Sequence, residues 1–196
     1  MSLNIKIPND TFDHHLLPLN SPPTNRTRPS TWTYDDRYNF QHIIDSIYLG
    51  PACSVKEDHD RIESEGITRI VATCSKLGPR FVGIPNKLPR DDIVVDDGEI
   101  CDHAQEFLAI LEAERARNGK VLVVCEDGNA RSAAFVCLYL IRCKRLSVTD
   151  SIIYVTSRRY STYLSHVQSM QLEHYEHICK PGEDVTVKED TEYGVY

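Results

Sequence analysis

Lys120-Val121-Leu122-Val123-Val124-Cys125-Glu126-Asp127-Gly128-Asn129-Ala130-Arg131-Ser132-Ala133-Ala134-Phe135-Val136-Cys137-Leu138-Tyr139-Leu140 decides how the rest of the chain is read. Lys120 to Val124 is an apolar, valine-rich run of the kind that forms a strand buried on both faces. From Arg131 to Leu140 the apolar residues continue as they do in a helix packed on several sides. Cys125 closes the strand and Arg131 opens the helix, so the residues between them form a strand-to-helix loop. Backbone N–H groups at a helix start lack intrahelical acceptors, and the helix dipole adds partial positive charge there. Gly128 lets the chain curl so that successive N–H groups point inward as an anion nest. Arg131 brings a planar fork that matches two phosphate oxygens. The same field lowers the pKa of the Cys125 thiol, and only the thiolate attacks phosphorus. Ser132 is placed to hydrogen-bond the sulfur and help it leave. The stretch therefore predicts a phosphate loop formed by Glu126, Asp127, Gly128, Asn129, Ala130 and Arg131, with its own nucleophile.

Working outward, the pattern predicts strands at Ser46–Leu49, Thr68–Thr73, Ile93–Val95 and Lys120–Val124. Helices are predicted at Ser54–Glu65, Ile100–Arg117, Ser132–Cys143, Val148–Arg159 and Ser165–Cys179, with an irregular connection from Leu77 to Arg90. Such alternation implies an α/β domain with a central, mostly parallel sheet flanked by helices, and chemistry at the C-terminal end of a strand. Ser147 is a natural N-cap for the helix that follows it.

Cys125, Gly128, Arg131 and Ser132 resemble the signature of the cysteine-dependent protein tyrosine phosphatases, specifically their small dual-specificity branch. That signature is His-Cys, five residues, Arg, then Ser or Thr. Trp32-Thr33-Tyr34 followed by Ile47-Tyr48-Leu49-Gly50-Pro51 resembles the family's opening strand. Gly66 to Val71 resembles its next strand, and Arg158-Arg159, Gln171-Leu172 and Tyr175-Glu176 resemble its closing helices. The WTY opening and the flanks of the loop are most similar to the serine/threonine/tyrosine-interacting (STYX-like) pseudophosphatases, which lack the nucleophilic cysteine. Here Cys125 is present. The resemblance implies hydrolysis of phosphotyrosine and phosphoserine/threonine through a phosphocysteine, with a phosphorylated protein as substrate or a signalling protein as partner. It implies no cofactor and no metal. It also implies a general acid after the strand at Ile93-Val94-Val95, where Asp97 is favoured and Asp96 is second. From composition alone, Asp96-Asp97-Gly98 reads first as a turn and helix cap.

Four departures from the family pattern bear on activity. Val124 replaces the histidine before the cysteine and removes a hydrogen-bonding group that favours the thiolate. Asp127 places an acid where a small residue is common, although the related myotubularin lipid phosphatases carry Cys-Ser-Asp-Gly. Both Glu126 and Asp127 are expected to point to solvent, away from the anion. The stretch after Asp97 is short. Leu164-Ser165 replaces Pro-Asn, whose asparagine braces the loop. The resulting expectation is a phosphatase of impaired activity, or alternatively a pseudophosphatase that binds phosphoproteins or signalling partners without turnover.

The 196 residues accommodate one domain over residues 32–179, with a proline-containing flexible lead at 1–31 and an acidic flexible tail at 180–196. Seven cysteines without paired spacing predict a reducing intracellular compartment, and the family resemblance implies the cytoplasm or the nucleus. Cys101 and His103 lack the spacing of a metal site. A net charge of −7 disfavours nucleic-acid binding, and no apolar run is long enough to span a membrane. A monomer is expected. Arg142, Lys144 and Arg145, with Arg158 and Arg159, read either as solvated or ion-paired residues or as a basic rim drawing acidic phosphopeptides.

Overall fold

A computed structural model describes residues 30–75 and 88–180. The lead to residue 29, most of the irregular connection from Leu77 and the acidic tail from residue 181 lie outside the described residues. The strands are β1 (Gln41–Ile44), β2 (Ile47–Pro51), β3 (Arg69–Cys74), β4 (Arg90–Val94) and β5 (Val121–Cys125). They lie in the order β1-β2-β5-β3-β4, with β1 antiparallel to β2 and every other pair parallel. The α-helices are α1 (Ala52–Glu57), α2 (His59–Glu65), α3 (Ala104–Arg115), α4 (Arg131–Lys144), α5 (Val148–Arg158) and α6 (His166–Cys179). The sheet is central, mostly parallel and flanked by helices, as the alternating pattern predicts.

β5 lies mid-sheet between β2 and β3, and its residues show why the valine run is continuous. Successive strand side chains point to opposite faces. Val121 and Val123 enter one apolar core with Phe107, Phe135 and Leu172, on the face covered by α3 to α6. Leu122 and Val124 enter a second core with Phe40, Tyr48, Val55 and Ile70, on the face covered by α1 and α2. Both parities must therefore be apolar. α4 packs against α3, α5 and α6 as well as the sheet, so Ala133 to Ile141 are all buried.

The structure departs from the sequence reading at several element boundaries. Trp32-Thr33-Tyr34 leads into a 3-10 helix (Tyr34–Tyr38), and Trp32 meets Tyr160 edge-on at 5.3 Å. β1 was not predicted, because its four residues are too few to show a period. The turn after it holds Asp45 at φ 49°, secured by the Tyr139 hydroxyl at 2.6 Å and Lys144 Nζ at 2.9 Å. The single helix expected over Ser54–Glu65 is broken at Asp58 into α1 and α2. β4 starts three residues early, at Arg90, because an edge strand tolerates charge, and Asp91 pairs with Arg69 at 2.7 Å. A 3-10 helix (Asp97–His103) precedes α3 where one long helix was expected.

Candidate active site

Cys125 is the last residue of β5 and only 2% exposed. It shares the parity of Val121 and Val123, which aims its thiol at the start of α4. There the buried Ser132 hydroxyl donates to Sγ at 3.1 Å. Burial pushes the Cys125 thiol up. Hydrogen bonds from the Ser132 hydroxyl and from the Ser132 and Ala130 backbone pull it down, while the Asp127 carboxylate pushes it up further. The net direction is upward, which overturns the expectation of a lowered pKa: the loop dipoles are present, but desolvation outweighs them. Val124 points to the opposite face, among Phe40, Tyr48 and Ala72, and offers the thiol no donor.

The loop between Cys125 and Arg131 turns at Gly128, where φ is 70°. A Cβ there would lie 2.3 Å from the Gly50 carbonyl carbon and 2.4 Å from the Pro51 nitrogen, so the end of β2 leaves room for glycine alone. The loop is held from behind by Arg159, which is fully buried. Its Nε donates to the Gly128 carbonyl at 2.8 Å, and its Nη2 donates to the Asp127 carbonyl at 3.1 Å and Asn129 Oδ1 at 3.2 Å. The same guanidinium reaches the carbonyls of Arg37 and Asn39, each at 2.8 Å. Ser161 Oγ donates to Asn129 Oδ1 at 2.8 Å, and the Tyr163 N–H donates to the Asn129 carbonyl at 3.0 Å.

Arg159 is thus neither a rim cation nor half of an ion pair, as the sequence reading had it. Burial pulls its pKa down to about 10, so it stays charged at neutral pH. A signal for it existed: Val148, Ser151 and Val155 form the buried stripe of α5, and Arg159 continues that stripe by one turn. Ser165 does not take the asparagine's bracing role. Its hydroxyl caps α6 by accepting from the Gln168 N–H at 3.2 Å, and it contacts Asp97 Oδ2 at 3.4 Å. Arg145 bonds the Cys179 carbonyl, and Lys144 pairs with Asp45, so these two cations form no rim around the loop.

The carboxylates also differ from expectation. Glu126 Oε2 lies 2.7 Å from Arg131 Nη1. Asp127 Oδ1 accepts the Asn129 N–H at 3.0 Å and the Cys125 thiol at 3.5 Å. Each is held by a donor of its own loop, although Glu126 stays partly exposed and Asp127 exposed. Asp97 Oδ1 lies 3.5 Å from Arg131 Nε and accepts Gln168 Nε2 at 2.9 Å. Asp96 instead occupies the N-cap of the 3-10 helix, with Glu99 Oε2 accepting its N–H at 3.3 Å. Asp96 thus takes the cap, while Asp97 lies against Arg131. Cys101 donates to the Gln171 carbonyl at 2.8 Å, and burial with the nearby Asp102 pushes its thiol up to about 12. Among the described residues, no group of three His, Cys, Asp or Glu side chains is placed to hold a metal.

The site is a buried cysteine at the end of a central parallel strand, with an arginine and a serine opening the next helix. Residues 47–178 match the family described as dual specificity phosphatase, catalytic domain. The chain belongs to that family. It is 29% identical to the human serine/threonine/tyrosine-interacting protein over 171 residues, covering 83% of this chain and 75% of the relative. It is 27% identical to mouse dual specificity protein phosphatase 2 over 120 residues, or 60% of this chain and 36% of that protein. The crystal structure of the human tyrosine phosphatase-like serine/threonine/tyrosine-interacting protein superposes with a TM-score of 0.64 at 25% identity, covering 72% of this chain and 97% of that one. Human DUSP28 superposes with a TM-score of 0.61 at 25% identity, over 71% and 93% of the two chains. This dual specificity phosphatase domain thus shares its fold with both an interacting protein and a named phosphatase.

Proposed function

We propose that the domain binds phosphorylated side chains of proteins at the loop from Cys125 to Ser132 and hydrolyses them slowly. The observation that carries this reading is the Ser132 hydroxyl donating to Cys125 Sγ at 3.1 Å, with Arg131 on the adjoining residue. The thiol first loses its proton to solvent, a step made harder by its burial and by Asp127. The thiolate then attacks phosphorus, the S–P bond forms, and the ester P–O bond breaks. Arg131 and the loop N–H groups stabilise the equatorial oxygens, while the Asp97 carboxyl gives its proton to the leaving oxygen. Water, losing a proton to Asp97, then attacks the phosphocysteine and releases inorganic phosphate and the Cys125 thiolate, which the Ser132 donor stabilises. Phosphotyrosine, phosphoserine and phosphothreonine are the proposed substrates, in the cytoplasm or nucleus.

A second reading, capture of a phosphoprotein or signalling partner without turnover, is favoured by one contact in particular. The Cys125 thiol donates a hydrogen bond to Asp127 Oδ1 at 3.5 Å, a contact that favours the protonated, unreactive form of the sulfur. Turnover of an aryl phosphate and of a phosphopeptide panel, measured across pH beside Cys125→Ser, separates the two. Hydrolysis above that control supports the enzyme. Rates equal to the control across the whole range, with phosphopeptide binding intact, leave the binding module.

A further inference from the structure

The donors that would receive a phosphoryl group are held by the loop's own acids. We propose that Glu126 and Asp127 are specificity-determining residues that admit phosphorylated side chains flanked by lysine or arginine and disfavour acidic ones. The inference rests on the phosphoryl-binding reading above and names the class of protein segment that suits it.

Glu126 Oε2 lies on Arg131 Nη1 at 2.7 Å and Asp97 Oδ1 on Arg131 Nε at 3.5 Å, so both sides of the fork face carboxylates. Asp127 Oδ1 takes the Asn129 N–H at 3.0 Å, directly in front of the sulfur. Among the described residues, Glu126 and Asp97 thus face Arg131 and Asp127 stands beside the sulfur, while the Arg159 guanidinium beneath the loop is spent on carbonyls and amides. A phosphate dianion has to take Arg131 from Glu126 and turn Asp127 off the loop. Both acids have a way out. The Glu126 side chain is 35% exposed, and Asp127 is an exposed residue. Once displaced, they stand at the rim beside the bound phosphate as two unpaired negative charges. A peptide carrying Lys or Arg next to its phosphorylated residue neutralises them, whereas Asp, Glu or a second phosphate adds to the repulsion. Among the described residues, Lys144 is paired with Asp45 and Arg145 lies against α6, so neither offsets these charges.

The test uses the full chain and three ligands: inorganic phosphate, a phosphopeptide with basic neighbours, and the same phosphopeptide with acidic neighbours. The double substitution Glu126→Gln with Asp127→Asn removes both charges, while each amide retains an oxygen for the existing hydrogen bonds. By calorimetry the native chain is expected to prefer the basic peptide by at least about tenfold. In the double variant the preference is expected to fall below about threefold, with inorganic phosphate bound about tenfold more tightly. An unchanged preference and unchanged phosphate affinity in a variant with native circular dichroism overturn the inference. If Arg131→Ala still abolishes peptide binding, the phosphoryl reading survives that result. If neither the native chain nor the double variant distinguishes phosphorylated from unphosphorylated peptide, the phosphoryl reading fails, and this inference with it.

Discussion

Arg159 Nε donates to the Gly128 carbonyl at 2.8 Å, tying the end of α5 to the tightest point of the phosphate loop. The same guanidinium closes five further backbone or side-chain acceptors, from Arg37, Asn39, Gln41, Asp127 and Asn129. A lysine ammonium keeps the charge but cannot span acceptors arranged around a planar fork. Arg159→Lys is expected to lose about 3 kcal/mol of stability, from buried carbonyls left unpaired. Urea unfolding checks this, and a loss below about 0.5 kcal/mol would show that the brace lies elsewhere.

Gly128→Ala tests the loop's turn. The new methyl meets the Gly50 carbonyl carbon at 2.3 Å, at a residue whose φ of 70° already disfavours any side chain. Because the obstacle is backbone at the end of β2, no rotamer relieves it. The expected outcome is a loss of about 2 kcal/mol or more, together with loss of phosphate binding. A fully stable variant with native anion affinity would falsify the close approach of β2 to the loop.

Alkylation of Cys125 by iodoacetamide should rise with pH and reach half its maximum above the value of about 8.5 for a free cysteine. Burial is the main cause, with Asp127 adding to it. Ser132→Ala removes a donor that pulls this pKa down, so its profile should move to still higher pH. Mass spectrometry of the Cys125 peptide reads both shifts. A midpoint at or below that of free cysteine contradicts the balance of effects described above.

Stability should fall on the alkaline side. Burial, helped by Asp102, raises Cys101 to about 12, and burial raises Cys143 to about 11, both above the value of about 8.5 expected in the unfolded chain. The folded state therefore holds these protons after the unfolded state has released them. Their contribution is complete below pH ~8.5 and is lost as pH rises toward the folded values, at about 1.4 kcal/mol per pH unit for each thiol. The urea midpoint is expected to be lower at pH 10 than at pH 8, and equal midpoints would refute the assignment.

Asp97→Asn addresses the acid. A good leaving group such as nitrophenolate needs little protonation, whereas a serine alkoxide needs a full proton. If Asp97 supplies that proton, the substitution should slow a phosphoserine peptide by about a hundredfold and nitrophenyl phosphate far less. Equal slowing on both substrates would assign Asp97 to positioning Arg131, which it approaches at 3.5 Å.

The centre of the fold was legible because local constraints coincide there. Val121 to Val124 must be apolar on both parities when a strand has helices on both faces, and Ala133 to Ile141 must be apolar when a helix is enclosed. Chain connectivity alone places Cys125 and Arg131 at opposite ends of one short loop. β1 was illegible because four residues carry too little pattern, and β4 was misjudged because an edge strand accepts Arg90, Asp91 and Asp92.

By itself the sequence determined the alternating α/β order, the strand-to-helix loop, and the presence of a thiol and a guanidinium within it. Only the tertiary structure decided what those groups face. Whether Asp127 turns to solvent or toward the sulfur depends on which N–H is left free, and Asn129 leaves one. Whether Arg159 is a rim cation or a brace depends on which carbonyls α5 brings near it, and those belong to Arg37, Asn39, Asp127 and Gly128. Hydrogen bonds and desolvation act between groups that chain order does not bring together. The protonation of Cys125 and the occupancy of its loop are consequences of packing, whereas the loop's existence follows from local pattern.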